Sequence, residues 1–85
     1  MGKHEKLLRK ILSGRQDGSV NFSEALVLLD ALGFSMRRNG SHHIFYREGI
    51  TEIINIQPDG SKAKSYQIKQ IREIVLKYKL EAKDE

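Results

Sequence analysis

The sequence lacks cysteine and tryptophan and has a single proline among its 85 residues. Without cysteine, neither a disulfide framework nor a thiolate zinc site is possible. No apolar run approaches the roughly 20 residues that a membrane-spanning helix needs. Residues 1–6 also lack the apolar segment of a secretory signal. We therefore expect a cytoplasmic protein with no membrane partner.

Composition is that of a small globular domain. Hydrophobic residues make up 39% of the chain and charged residues 31%, which is too much apolar content for a disordered tail. The core is modest, because a chain of this length buries only roughly 60% of the surface that its unfolded form exposes. We expect one domain over residues 1–85.

Positive charge is concentrated in the second half of the chain. Fifteen Lys and Arg residues against eleven Asp and Glu residues leave a net charge of +4. Residues 34–47 contain three bases and no acid, and residues 62–79 contain six bases opposed only by Glu73. Such a polarised basic protein is predisposed to bind polyanions, although charge alone does not establish a nucleic-acid partner.

Helical periodicity appears in three segments. Apolar residues spaced by three and four positions predict a helix over residues 4–12. A second helix is capped by Asn21 or Ser23 and ends before Gly33, and a third begins at Ser65.

Between the second and third helices the pattern alternates as in strands. We predict strands over residues 34–38, 41–47 and 50–57, followed by a loop over residues 58–61. The order helix, helix, three-stranded meander, helix predicts an α+β fold, with the helices packed on one face of an antiparallel sheet.

Hairpin turns predict which residues face each other. The dipeptide at residues 39–40, Asn-Gly, is a strong signal for a two-residue turn. That turn places Arg37 opposite His42 and Met36 opposite His43. A second turn at residues 48–49 places His42 opposite Asn55 and His43 opposite Ile54.

The same register divides the sheet into two faces. The predicted core face holds Phe34, Met36, His43, Phe45, Ile50, Ile54 and Ile56. The opposite side, called the open face below, holds Ser35, Arg37, His42, Ile44 and Tyr46, with Ile53 and Asn55 of the third strand. Glu52 falls on the core face, where a carboxylate does not fit, so we expect a bulge or a frayed end near it.

His42 is the candidate residue for chemistry. An accessible histidine, with an unperturbed pKa of about 6.5, suits proton transfer at neutral pH. Cleavage of RNA needs a base for the 2′-hydroxyl or an acid for the departing 5′-oxygen, and a cation near the phosphate. His42 with Arg37 beside it would supply both. The alternative, a solvated surface histidine beside an arginine, stays open.

A basic series lies just before and along the last helix: Lys62, Lys64, Lys69 and Arg72. Together with the backbone N–H groups at the start of that helix, these side chains could bind phosphates. A solvated helix flank is the alternative interpretation.

Other arrangements are less informative. The neighbouring histidines 42 and 43 point to opposite faces of a strand, and with His4 they lack the spacing of metal ligands. Ser41 is better explained as a turn residue than as a nucleophile. Residues 58–62 lack the glycine spacing of a phosphate-binding loop. We predict neither a metal nor a cofactor.

The segment GSHHIF at residues 40–45 follows LGF at residues 32–34 and an amphipathic helix, and it precedes a strand and a basic helix. In this context it resembles the HicA family of bacterial toxins, over about residues 22–78. HicA proteins are small basic ribonucleases of type II toxin–antitoxin systems. Their fold is similar to that of a double-stranded-RNA-binding domain.

The resemblance implies that His42 is catalytic and that Gly40 and Ser41 form the active-site turn. It also implies cleavage of mRNA without a metal, and inhibition by a HicB-type antitoxin that covers the site. Relative to the family's minimal pattern, residues 1–20 are an N-terminal helical extension of a core over residues 21–80. Either this helix or the antitoxin is expected to cover the apolar residues of the open face.

One departure from the family affects the mechanism. Many HicA proteins carry a further histidine after the third strand, in a valine-proline-valine-histidine stretch. Residues 56–59 read IQPD here, so a second histidine is not available at that place. The leading hypothesis is a HicA-like endoribonuclease. The alternatives are a non-catalytic RNA-binding module and an adaptor that binds only a protein partner.

Overall fold

The computed structural model describes residues 2–83. Within them the chain forms three α-helices and a three-stranded antiparallel sheet in the order β1-β2-β3, so the predicted α+β fold is confirmed. None of the described helices is long and apolar enough to cross a membrane. The elements in chain order are α1 (Lys3–Leu12), α2 (Phe22–Ala31), β1 (Ser35–Asn39), β2 (His42–Arg47), β3 (Ile50–Ile56), β4 (Pro58–Asp59), β5 (Lys62–Ala63) and α3 (Ser65–Tyr78).

The start of α2 is fixed by a capping box. The backbone N–H of Asn21 donates to Glu24 Oε1 at 2.9 Å, as expected for a helix capped by Asn21. At the other end, Gly33 takes a φ of +90°, which glycine adopts without strain. The Arg47 guanidinium then donates to the Leu32 carbonyl at 2.8 Å, which satisfies one of the free carbonyl groups at the end of the helix.

The core joins the inner face of the sheet to the apolar sides of the helices. Phe45, Ile54 and Ile56 are at most 2% exposed. They share one cluster with buried residues from all three helices, including Leu8, Ile11, Leu28, Leu29, Ile68 and Ile71. Burying one such side chain stabilises the fold by about 1.5–3 kcal/mol relative to leaving it exposed. The N-terminal helix α1 is therefore part of the same core.

The position of α1 decides what happens to the open face. This helix packs against α2 and α3. On the open face, Tyr46 stays 45% exposed and Ile53 stays 53% exposed. Of the two occupants expected for this face, the N-terminal helix is therefore excluded.

The β1–β2 turn lies one residue later than predicted. Asn39 pairs with His42 and Arg37 pairs with Ile44, so the two turn residues are Gly40 and Ser41. Gly40 has a φ of +63°, whereas Ser41 is not among the described residues with positive φ. This is the pattern of a type II′ turn, which needs glycine only at its first central position, whereas the predicted turn would require positive φ at both.

The predicted pairs of Arg37 with His42 and of Met36 with His43 are therefore wrong. Met36 lies opposite Phe45 instead. Each partner has moved by two positions, and side chains alternate with a period of two. For that reason the division of the sheet into a core face and an open face is unchanged.

A bulge sets the register between β2 and β3. Arg47 pairs with Ile50, but Phe45 pairs with Ile54, and the ladder shifts between Phe45 and Arg47. The bulge expected near Glu52 is therefore confirmed. Because of it, His43 lies opposite Ile56 and not opposite Ile54, and Asn55 lies opposite Ile44 and not opposite His42.

The expected loop over residues 58–61 is instead a short ribbon. Pro58 pairs with Ala63 across a turn at Gly60 and Ser61. The N–H of Ala63 donates to the Val20 carbonyl at 3.0 Å, and the N–H of Phe22 donates to the Ser61 carbonyl at 2.9 Å. These long-range hydrogen bonds hold the ribbon against the chain just before α2.

The carboxylate of Glu52 joins the bulge to the end of α3. It accepts hydrogen bonds from Lys77 Nζ at 2.8 Å, from the Tyr78 hydroxyl and from Thr51 Oγ1 at 2.9 Å. The hydrogen bonds from Lys77 and then Tyr78 lower the pKa of Glu52 from 4.5 to about 2. The same carboxylate raises the pKa of Lys77.

We expect Glu52→Gln to reduce the amount by which the free energy of unfolding falls as the solution is made acidic. A carboxylate whose pKa is lower in the folded state stabilises the fold above its unfolded pKa, and the contribution is lost as pH falls through the folded pKa. The window here runs from 4.5 down to about 2. Urea unfolding of wild type and variant at a series of pH values measures this pH dependence of the free energy of unfolding. Glu48→Gln, in an exposed turn, is the control. Identical pH dependence in both variants would contradict the assignment.

An ion pair joins the segment after α1 to α3. Arg72 Nη1 donates to Asp17 Oδ1 at 2.7 Å and to the Ile11 carbonyl at 3.2 Å. The Arg72 and Asp17 side chains are only 17% and 22% exposed. The hydrogen bond to Asp17 raises the pKa of Arg72.

Asp17→Asn should lower the free energy of unfolding by about 1.5–3 kcal/mol, the range for a hydrogen bond to a charged group. Amide hydrogen exchange should also speed up in α1, which this pair helps to hold. Glu73→Gln removes the same charge from an exposed site next to Arg72 and should change stability by less than about 0.5 kcal/mol. If chemical denaturation gave the same loss of unfolding free energy for both variants, the ion pair between Asp17 and Arg72 would contribute no specific stabilisation.

Candidate active site

His42 lies at the first position of β2, directly after the turn formed by Gly40 and Ser41. Its side chain is on the open face, as predicted, and is half-buried. The turn itself is open: a Cβ built on Gly40 would have no neighbour within 4 Å. Glycine is therefore required here by its φ and not by crowding.

Two side-chain amides contact the two ring nitrogens of His42. Nδ1 lies 3.1 Å from Asn55 Oδ1, and Nε2 lies 2.9 Å from Gln57 Nε2. An amide oxygen only accepts and an amide nitrogen only donates. With the two carboxamides oriented in this way, the contacts match a ring that carries a proton on Nδ1 and accepts from Gln57 at Nε2.

The backbone of Gln57 is held in turn by Gln67, which is 2% exposed in the first turn of α3. With its carboxamide oriented to satisfy both groups, Gln67 accepts from the Gln57 N–H at 3.2 Å and donates to the Gln57 carbonyl at 3.3 Å. The backbone N–H of Gln67 donates to the Lys64 carbonyl at 3.0 Å. A continuous polar network thus joins the start of α3 to His42.

Sequence reasoning identified Asn55 as a neighbour of His42 but missed Gln57 and Gln67. One signal was present for Gln57. Its position continues the alternation of Ile53 and Asn55, which lie on the open face. No comparable signal marks Gln67, because a polar residue on the buried side of a helix becomes meaningful only once its partner is known.

Arg37 shares the open face with His42 but lies diagonal to it. Its strand partner is Ile44, and its guanidinium carbon lies 6.0 Å from the centre of the Tyr46 ring. That distance is at the outer limit of a cation–π contact. The arginine therefore lies nearer to the exposed aromatic ring than the predicted register implied.

The predicted basic series is separated by the fold. Lys64 is the N-cap of α3, Lys69 is exposed on that helix, and exposed Lys62 in β5 donates to Asn21 Oδ1 at 2.8 Å. Lys64 adjoins the polar network at His42. Arg72 is engaged by Asp17 and the Ile11 carbonyl, so the structure does not bring its charge to the open face.

The other two histidines contact backbone carbonyl groups, and His43 also packs in the core. His43 is 9% exposed, and its Nδ1 lies 3.1 Å from the Ser41 carbonyl. Its ring meets Phe22 edge to face at 4.9 Å between centroids. His4 Nδ1 lies 2.8 Å from the Lys83 carbonyl. Within residues 2–83, no group of three His, Asp or Glu side chains could hold a metal ion together.

A family model described as the HicA toxin of bacterial toxin–antitoxin systems matches residues 22–78. Searches of curated proteins and of solved structures found no match. The matched segment spans more than half of the chain, includes the turn and His42, and coincides with the range over which the resemblance was expected. The chain therefore belongs to the HicA family of toxins from bacterial toxin–antitoxin systems.

Proposed function

We propose that this toxin is an endoribonuclease that cleaves mRNA in the cytoplasm, with His42 as its general acid or base. The observation that supports this most directly is the His42 ring itself. It lies on the open face beside an uncrowded turn, and both of its nitrogens are oriented by neutral amides. A neutral imidazole with a lone pair on Nε2 can accept a proton from a 2′-hydroxyl.

The proposed reaction is an internal transesterification. The 2′-oxygen loses its proton to His42 Nε2 and forms a bond to phosphorus, while the bond from phosphorus to the 5′-oxygen breaks. The 5′-oxygen takes a proton, from the imidazolium or from water, and the products are a 2′,3′-cyclic phosphate and a 5′-hydroxyl. The step is redox-neutral, and it requires no metal in this scheme. One positioned general acid or base contributes on the order of 10²- to 10⁴-fold in rate.

Phosphate contacts are proposed for Arg37, Lys62, Lys64 and Lys69. Lys62, Lys69 and Arg37 are exposed, and Lys64 adjoins the His42 network at the start of α3. Backbone N–H groups at that helix start also favour an anion. We leave Arg72 out of this surface, because its charge is already paired with Asp17.

The open face is also the proposed binding surface of a HicB-type antitoxin. Tyr46 and Ile53 lie on the same face of the sheet as His42 and are about half exposed, at 45% and 53%. Exposed apolar patches of this kind mark interaction surfaces. An antitoxin seated there would cover His42 and exclude RNA.

One observation favours the second candidate, a non-catalytic RNA-binding module. Both nitrogens of His42 already have hydrogen-bond partners, so the lone pair on Nε2 is not free until Gln57 moves. Such a module would use the same open face and the same lysines but would leave RNA intact.

His42→Ala distinguishes the two candidates. We expect wild-type protein to cleave a mixed RNA pool in EDTA, and the variant to lose roughly 10²- to 10⁴-fold in rate while still binding RNA. Asn39→Ala, an exposed neighbour opposite His42 in the sheet, is the control and should cleave normally. Equal cleavage by wild type and His42→Ala would remove His42 from the mechanism, and binding without cleavage by wild type would favour the module.

Ile53→Lys tests the antitoxin surface. We expect the variant to fold, because the residue is exposed, and to bind a HicB-type antitoxin at least about 10-fold more weakly, as a buried unpaired charge would require. Leu76→Lys is the matched control, since Leu76 is 62% exposed on α3. Calorimetric titration measures both affinities, and equal weakening would argue against the open face.

A further inference from the structure

We propose that Asn55 and Gln57 are positioning residues that keep the His42 proton on Nδ1 and reserve Nε2 for exchange of protons with RNA. This inference rests on the proposed role of His42 in cleavage and adds the two residues that prepare its ring.

The two amides act in the same direction. In the orientation seen here, Asn55 presents an oxygen to Nδ1 at 3.1 Å, which favours a proton on that nitrogen. In the orientation seen here, Gln57 presents an N–H group to Nε2 at 2.9 Å, which favours a lone pair there. The intrinsically favoured tautomer of histidine carries its proton on Nε2 instead. Asn55 and Gln57 together therefore reverse that preference.

The identity of the partners also matters once the ring is protonated. A carboxylate beside the ring would favour the imidazolium strongly and oppose release of the proton. A carboxamide is neutral, and rotation about its last bond exchanges its nitrogen for its oxygen. Gln57 moves away from Nε2 before that nitrogen takes a proton from RNA, and its oxygen can then turn toward the protonated Nε2 and accept from it. The same side chain can serve the neutral ring and the charged ring.

The backbone of Gln57 has a fixed support during such a rotation. Gln67, 2% exposed, holds both the N–H and the carbonyl of Gln57. The side-chain amide of Gln57 is therefore free to rotate while its backbone stays against α3. Asn55 is held by the strand ladder opposite Ile44 and keeps its oxygen at Nδ1.

Nitrogen-15 NMR of the full chain reads the tautomer directly, without any cleavage assay. In wild type we expect His42 to carry its proton on Nδ1. Asn55→Ala should move the proton toward Nε2, and Asn55→Asp, which still offers an acceptor to Nδ1, should restore it. Gln57→Glu places a carboxylate at Nε2 while Asn55 still accepts from Nδ1, so this variant should favour a ring that carries protons on both nitrogens. Asn39→Ala should leave the wild-type pattern unchanged.

Cleavage kinetics then connect the tautomer to function. Asn55→Ala should lower kcat by about 10- to 100-fold, the range known for partners that orient metal-binding histidines, with little change in KM. Asn55→Asp should recover part of that loss. A merely structural role would not produce a change of tautomer that follows kcat across the variants.

Two outcomes would overturn these assignments, and they differ. If wild type cleaves RNA and His42→Ala does not, but the ring carries its proton on Nε2 or ignores Asn55→Ala, the inference fails while the ribonuclease stands. If the tautomer behaves as expected but wild type does not cleave RNA, the proposed function fails, and with it the catalytic role of Asn55 and Gln57.

Discussion

The burial of one face of a three-stranded sheet is the constraint from which the site follows. Phe45, Ile54 and Ile56 must face the helices. Side chains alternate between the two faces along each strand, and burial of these apolar residues stabilises the fold. The strand then has no freedom in placing its two histidines. His43 joins the core beside Phe22, and His42 is directed to the other side of the sheet, where it is partly exposed to solvent.

The features predicted correctly from sequence are those set by local periodicity. Alternation fixed the faces of the histidines even though the turn was misplaced, because an error of two positions leaves the face unchanged. The type of turn was harder, since Asn39-Gly40 and Gly40-Ser41 both satisfy a glycine rule and only the backbone angles separate them. Arg72 could not be assigned from sequence, because its partner Asp17 lies 55 positions away.

The His42 ring is surrounded by polar groups that carry no negative charge. Among the described residues, the hydrogen-bond partners of His42 are the amides of Asn55 and Gln57. Acids are used elsewhere: Glu52 fastens the bulge to α3, and Asp17 neutralises Arg72. This separation leaves the open face with positive charge and neutral polar groups, which is the electrostatic environment that a phosphate backbone favours.

The edge of the sheet has a consequence for self-association. β1 is an edge strand, and all five of its residues are exposed. A bare edge of this kind is a template on which a second copy could add a strand. Arg37 and Arg38 lie side by side on it, so two copies that approach edge to edge bring like charges together. The same basic residues that suit a polyanion thus also disfavour aggregation through this strand.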